Sequence, residues 1–218
     1  MRNKLYKLIR KYISKTPIFW RYRHFLQPEV WKSYKNDSIN LRRLYYNELL
    51  DQYHLNSVFE FGCASGPNFL SIISHKKNIF FFGYDISKKA IKSISYNNND
   101  KRLQFTSFIN KIKIEKYLKI NALDSFDLSI FDRVFYMLSE KDIKVFLKNF
   151  SCYLNYVVID DFHSDDPKWD AEKYIYSKNY IKIFKEFGFK LLKIKESKIH
   201  SSTAQKYAKI LIFKKRIL

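Results

Sequence analysis

From residue 57 onward, short apolar runs alternate with stretches of helical period. Apolar runs at 57–61, 79–84, 103–106, 126–131, 155–160, 189–195 and 207–214 predict seven strands, and 67–76, 87–97, 111–119, 139–151 and 171–187 predict the helices. Such alternation marks βαβ units and a mainly parallel sheet, whose strands are covered on both faces. Residues 196–206 form a polar connection with no room for a crossover helix, so the last strand is expected to return antiparallel. The pattern ahead of residue 55 is different. Leu5, Leu8, Ile9, Tyr12 and Ile13 share one helix face opposite Lys4, Lys7, Arg10, Lys11 and Lys15, and the helix stops near Pro17. Leu41, Leu44, Tyr45, Leu49 and Leu50 give a second helical pattern within Trp31 to Tyr53. The reading is therefore an α/β domain over 55–218 preceded by a helical segment, 1–54.

With 218 residues, 46% hydrophobic and 18% aromatic, the chain can bury a sizeable core, which excludes disorder. Charge interrupts every apolar run before the roughly 18 residues a bilayer span needs, so no transmembrane segment is expected. No small-residue cleavage site follows the basic start, so no export signal is read. Two cysteines, Cys63 and Cys152, lie in different predicted elements and build neither a disulfide framework nor a zinc site; a reducing, cytoplasmic setting is expected.

The net charge of +20 invites a nucleic-acid reading. However, 32 of the 41 basic residues are Lys, and Ile and Asn are abundant (25 and 15) where Ala is scarce (6), so AT-rich codon usage is a second source of the excess. The charge is also unevenly placed: residues 1–56 carry +8, 57–119 carry +7, 173–218 carry +11, and 120–172 carry −6. The basic first helix has two open readings, a surface helix packed on the domain or a peripheral contact with an anionic membrane.

The chain holds four glycines, and two fall in Val58-Phe59-Glu60-Phe61-Gly62-Cys63-Ala64-Ser65-Gly66-Pro67-Asn68. Gly62 follows a buried strand, and Gly66 precedes a proline suited to the first helical position. Strand, glycine loop and helix N-terminus together make a ligand seat. A third glycine lies in Phe82-Gly83-Tyr84-Asp85, and Asp85 follows Gly66 by 19 residues, where a carboxylate can accept both hydroxyls of a ribose. A dinucleotide fingerprint needs a middle glycine, but Ala64 stands there, and Glu60 would place a carboxylate near a pyrophosphate. A cationic ligand suits these residues better.

Glu60-Phe61-Gly62-Cys63-Ala64-Ser65-Gly66 and Gly83-Tyr84-Asp85-Ile86-Ser87 resemble the class I S-adenosylmethionine-dependent methyltransferases, over roughly 55–215. The resemblance implies a Rossmann-like fold, a seven-stranded, mostly parallel sheet of order 3-2-1-4-5-7-6 with the last strand antiparallel and helices on both sides, and S-adenosylmethionine as cofactor. It implies that Gly62, Cys63, Ala64 and Gly66, with Asn68 beyond them, line the methionine moiety and that Glu60 lies near its amino group. Asp85 would bind the ribose, Ile86 would flank the adenine, and Ser107 and Phe108 would cover the adenine edge. Asp132 would end the fourth strand facing cofactor and acceptor. Many relatives carry His where this chain has Met137.

The fifth strand runs into Asp160-Asp161-Phe162-His163. Strand carboxyl ends form the crevice of a doubly wound sheet, so Asp132, Asp161 and His163 are the candidate catalytic residues, with His163 either a general base or a polar loop residue. A carboxylate ending strand four and a pair ending strand five also resemble metal-dependent catechol-type enzymes, in which magnesium holds an acceptor hydroxyl; Asp160-Asp161 stands where those relatives have Asp-Asn. The acidic stretch 120–172 disfavours phosphate-rich substrates, and the expected partner is a small acceptor such as a sugar or other metabolite, methylated on oxygen or nitrogen. Arg21, Tyr22, Arg23, His24, Trp31, Tyr34, Arg42 and Arg43 either form a lid over it or pack the helices. The rival readings are a nucleic-acid-modifying methyltransferase that uses the basic termini, against which stands the lack of an Asn/Asp-Pro-Pro-aromatic motif, and a non-catalytic protein that keeps the fold.

Overall fold

A computed structural model describes residues 41–167, 169–170, 175–197 and 207–216. The first amphipathic helix and the lid candidates Arg21 to Tyr34 lie outside them. The order is α1 (Leu41–Gln52), β1 (Ser57–Phe61), α2 (Pro67–His75), β2 (Phe80–Tyr84), α3 (Lys88–Lys92), β3 (Leu103–Thr106), α4 (Lys111–Ile120), β4 (Phe126–Asp132), α5 (Glu140–Phe150), β5 (Leu154–Phe162), β6 (Trp169–Asp170), β7 (Ile175–Tyr176), α6 (Tyr180–Glu186), β8 (Phe189–Glu196) and β9 (Ala208–Lys215).

Seven strands form one sheet of order β3-β2-β1-β4-β5-β9-β8, and β6 and β7 make a separate two-stranded ribbon. Pairing is parallel from β3 to β5, then antiparallel at β5–β9 and β9–β8. Without the ribbon this is the 3-2-1-4-5-7-6 sheet expected above. Because side chains alternate across a strand, the two faces build two cores. Phe59, Phe126, Phe131, Val157 and Ile159 pack with residues of α4, α5 and α6, while Val58, Phe81, Leu128, Ile130 and Val158 pack with residues of α1 and α2. Among the described residues no helix is long and apolar enough to cross a membrane.

Three elements depart from expectation. The helix expected over 87–97 stops at Lys92: Ser93 Oγ donates to Ala90 O at 2.7 Å, and Asn97 Oδ1 accepts from Asn99 N–H at 3.0 Å to start a turn. The helix expected over 171–187 begins only at Tyr180, because residues 175–176 pair with 169–170 and Lys178 bridges to His163. In α1 the buried positions are Arg43, Tyr46, Asn47, Leu49 and Leu50, while Leu44 is 41% exposed. The helix is thus turned from its leucine stripe, with Asn47 Nδ2 donating to Ser71 Oγ on α2 at 3.3 Å.

Candidate cofactor site

The loop after β1 is held from below and from the side. Gly62 N–H and Cys63 N–H both donate to Tyr84 O, at 2.7 and 2.9 Å, which ties the loop to the end of β2. Gly62 has φ +84°, and a Cβ there would stand 2.8 Å from Val134 Cγ2, so glycine is needed for both conformation and space. Gly66, also left-handed at φ 76°, caps α2 and hands over to Pro67. Ala64 holds φ 49° without glycine's freedom, and its N–H donates to Asp85 Oδ2 at 2.9 Å. Asp85 Oδ1 accepts from Ser87 N–H at 2.8 Å. The glycine loop and the carboxylate after β2, read separately in the sequence, are one hydrogen-bonded unit.

Beneath the loop lies a buried polar network. Glu60 on β1, Asp132 on β4 and Asp160 on β5 share the sheet face covered by α1 and α2, as their register with Ile130 and Val158 requires. Asn68, on the first turn of α2, donates from Nδ2 to Glu60 Oε1 at 2.7 Å and to Asp132 Oδ2 at 3.2 Å. Arg43 from α1 donates to Asn68 Oδ1 and lies 3.7 Å from Asp132 Oδ2. Asp132 Oδ1 accepts from Arg133 Nε at 3.2 Å. Glu60 is 1% exposed, and its Oε2 has no hydrogen-bond partner among the described residues. Burial, opposed by the Asn68 hydrogen bond, pushes the Glu60 carboxyl up to about 8; Asp132 and Asp85 raise it further and Arg43 lowers it.

The other site candidates are placed as follows. The Cys63 thiol is buried in the core beside Gly83, and burial raises its pKa, so only its backbone can line the loop. Ile86 and Ser107 are half-buried, and Phe108 is 58% exposed with Lys113 Nζ 5.6 Å above its ring.

Asp132, Asp160, Asp161 and His163 do not form one cluster of the kind their strand-end positions suggested. Asp160 accepts from Ser197 Oγ at 2.5 Å. Asp161 points to the opposite sheet face, where it accepts from Tyr136 N–H at 3.0 Å and Phe162 N–H at 2.8 Å. Burial raises its pKa and lowers that of buried Lys178, which faces it. His163 is 6% exposed with Nδ1 3.0 Å from Lys178 O, and burial lowers its pKa. These contacts fasten the β5–α6 connection. Among the described residues no three His, Cys, Asp or Glu side chains gather as a metal site.

Sequence patterning missed Arg43 as part of this network. The sequence offered Arg43 only as a lid or packing residue, and the signal for this network was position: Arg43, Tyr46, Asn47 and Leu50 follow the i, i+3, i+4, i+7 spacing of one helix face, a face hidden by the neighbouring leucines.

No protein-family model matches the sequence, and no curated protein matches it. Solved structures do resemble it in three dimensions. The methyltransferase domain of bacterial CtHen1-C superposes with a TM-score of 0.60 at 11% identity, covering 81% of this chain and 97% of that one. The plantazolicin methyltransferase BpumL, solved with S-adenosylhomocysteine, gives 0.59 at 14% identity, covering 99% and 100%. The Burkholderia thailandensis 1,6-didemethyltoxoflavin-N1-methyltransferase, solved with its substrate and S-adenosylhomocysteine, gives 0.57 at 10% identity, covering 83% and 79%. At these identities the likeness is one of fold. With its 3-2-1-4-5-7-6 sheet and the motif loop after β1, the chain has the class I S-adenosylmethionine-dependent methyltransferase fold.

Proposed function

We propose that this protein is an S-adenosylmethionine-dependent methyltransferase that acts on an oxygen or nitrogen of a small acceptor. The observation that carries the reading is Glu60, a carboxylate buried beneath the Gly62–Gly66 loop with one oxygen unpartnered. Burial keeps this carboxyl protonated near neutral pH, and a cationic donor beside it, which an α-ammonium group provides and a pyrophosphate ligand lacks, would draw it into the ionised, accepting form. The loop backbone would hold the methionine moiety, Asp85 the ribose, and Ile86, Ser107 and Phe108 the adenine. When bound, S-adenosylmethionine supplies an electrophilic sulfonium methyl.

The chain's own part is then orientation. Holding nucleophile and methyl carbon in line can supply most of the acceleration, so no dedicated base is needed in this reading. Asp132, 6% exposed at the end of β4 and already engaged by Asn68 and Arg133, would position rather than deprotonate. The acidic character of 120–172 favours an uncharged or cationic small acceptor over a polyphosphate. One neighbour is a 1,6-didemethyltoxoflavin-N1-methyltransferase solved with 1,6-didemethyltoxoflavin bound, and this supports a small acceptor here.

Calorimetric titration with S-adenosylmethionine and S-adenosylhomocysteine, with NAD as control, tests the reading. Micromolar binding of the first two alone is expected. Binding of NAD instead, or of none of the three, overturns it.

A further inference from the structure

Arg43 is 1% exposed, on a helix that lies outside the motif-bearing part of the chain. Its Nη1 donates to Asn68 Oδ1. An amide side chain has one acceptor end and one donor end, so this contact decides which way the Asn68 amide points. With Oδ1 engaged, the Nδ2 hydrogens go to Glu60 Oε1 at 2.7 Å and Asp132 Oδ2 at 3.2 Å. One Glu60 oxygen is thereby satisfied, and Oε2 is left without a partner. The reverse amide orientation would set Oδ1 against two carboxylates, which is repulsive, and Nδ2 against a guanidinium.

We infer that Arg43 is a positioning residue of the cofactor site: it locks the Asn68 amide in one orientation and neutralises Asp132, so that Glu60 Oε2 is left unpaired for the ammonium of the bound methionine moiety. This rests on the S-adenosylmethionine reading, and it makes α1 a working part of the site. The groups that face Glu60 are Arg43 from α1, Asn68 from α2, Asp132 from β4 and Asp85 after β2; Arg43 is the cation among them. Without it, Glu60 would ionise against two carboxylates with no compensating charge. Cofactor affinity should therefore rise with pH as Glu60 ionises and fall again as the ligand's α-ammonium loses its proton, and the midpoint of the rising limb should report on Arg43.

The test is titration of S-adenosylmethionine into the full chain between about pH 6 and 9.5, the range that brackets the Glu60 ionisation, for the wild type and for Arg43→Met, Arg43→Lys and Asn68→Asp. Arg43→Met should weaken binding at pH 7 by about tenfold, the worth of one charge-assisted contact, and move the midpoint to higher pH. Arg43→Lys, which keeps the charge, should restore the midpoint. Asn68→Asp, which removes the Nδ2 donor and adds a carboxylate, should move it up without altering Arg43. A merely structural role would weaken binding equally at every pH. If Arg43→Met leaves the midpoint at the wild-type value the inference fails, and if that variant does not fold, Arg43→Gln, which keeps a donor for Asn68 Oδ1 but removes the charge, should raise the midpoint, an unchanged midpoint overturning the inference. Absence of wild-type binding at any pH would instead overturn the cofactor reading itself.

Discussion

The Asp85 carboxylate accepts the backbone N–H of Ala64 at 2.9 Å, so the residue expected to bind a ribose also pins the loop expected to bind the methionine. Ala64 holds a left-handed conformation that costs an L-residue roughly 1–2 kcal/mol, and this hydrogen bond helps offset it. Asp85→Ala should therefore act twice. Affinity for S-adenosylmethionine should fall at least about tenfold, or ~1.4 kcal/mol, and the melting temperature should fall as the loop loosens. Titrating adenosine separates the two effects: a ribose contact predicts that adenosine weakens as well, and unchanged adenosine affinity would remove the ribose role.

Gly62 makes a different prediction from the one its place in the motif suggests. A bulky side chain there would be expected to fill the ligand seat and spare the fold, but the position a Cβ would take stands 2.8 Å from Val134 Cγ2 at φ +84°. Gly62→Ala should destabilise the whole domain by roughly 1–3 kcal/mol, from backbone strain plus overpacking. Pairing it with Val134→Ala should recover the packing share and leave the conformational share. A melting temperature unchanged in Gly62→Ala would contradict this placement.

The parts that could be read from sequence are those in which one physical rule dominates. Strands buried on both faces appear as continuous apolar runs, and so β1 and β3 fall where the runs predicted and β4 and β5 extend only slightly further. The glycine loop and Asp85 were readable because backbone geometry restricts residue choice at such positions. Side-chain networks obey no such rule. Arg43 and Asn47 sit on a buried helix face because Asn68 and Ser71 wait for them across the α1–α2 interface, and a periodicity count scores both as solvent-facing. The β6–β7 ribbon is missed for a related reason: strands of two residues carry no period.

Burial makes Glu60 a liability in the unliganded protein. Its carboxyl, ordinarily near 4.5, titrates at about 8 in the fold, so between those values the folded chain keeps a proton that the unfolded chain has lost. Stability must then fall as pH rises through that window, with the full cost present above about 8. Glu60→Gln carries no such charge. Relative to wild type, this variant should gain melting temperature between pH 6 and 9, by an amount of order a few kcal/mol in stability, while losing cofactor binding. A difference between the two proteins that does not grow with pH would show that Glu60 ionises freely.

His163 should prove a fastening residue. With 6% exposure and Nδ1 against the Lys178 carbonyl, its truncation removes a buried hydrogen bond and the packing against Tyr180. His163→Ala should lose roughly 1–3 kcal/mol of stability, and about 2–4 °C of melting temperature for each of those. Loss of a general base would instead lower kcat by about 10² to 10⁴ and remove a titration near neutrality from the pH–rate profile. A kinetic loss of that size with unchanged stability would return His163 to the chemistry.

The dependence on metal turns on the same strand. Asp160 faces the α1–α2 side with Val158, where Ser197 holds it, and Asp161 faces the opposite core with Val157 and Ile159, where two backbone N–H groups hold it. Magnesium needs near-octahedral oxygen ligands at about 2.0–2.1 Å, and Asp160 and Asp161, held on opposite faces, do not present them together in this arrangement. Methyl transfer should therefore be unchanged after exhaustive dialysis against a chelator, and added magnesium should not raise it. Asp160→Asn should act through the Ser197 contact, lowering stability with the same outcome whether or not magnesium is present. Turnover that disappears on chelation and returns with magnesium, and only when Asp160 and Asp161 are both intact, would require the end of β5 to rearrange around the ion.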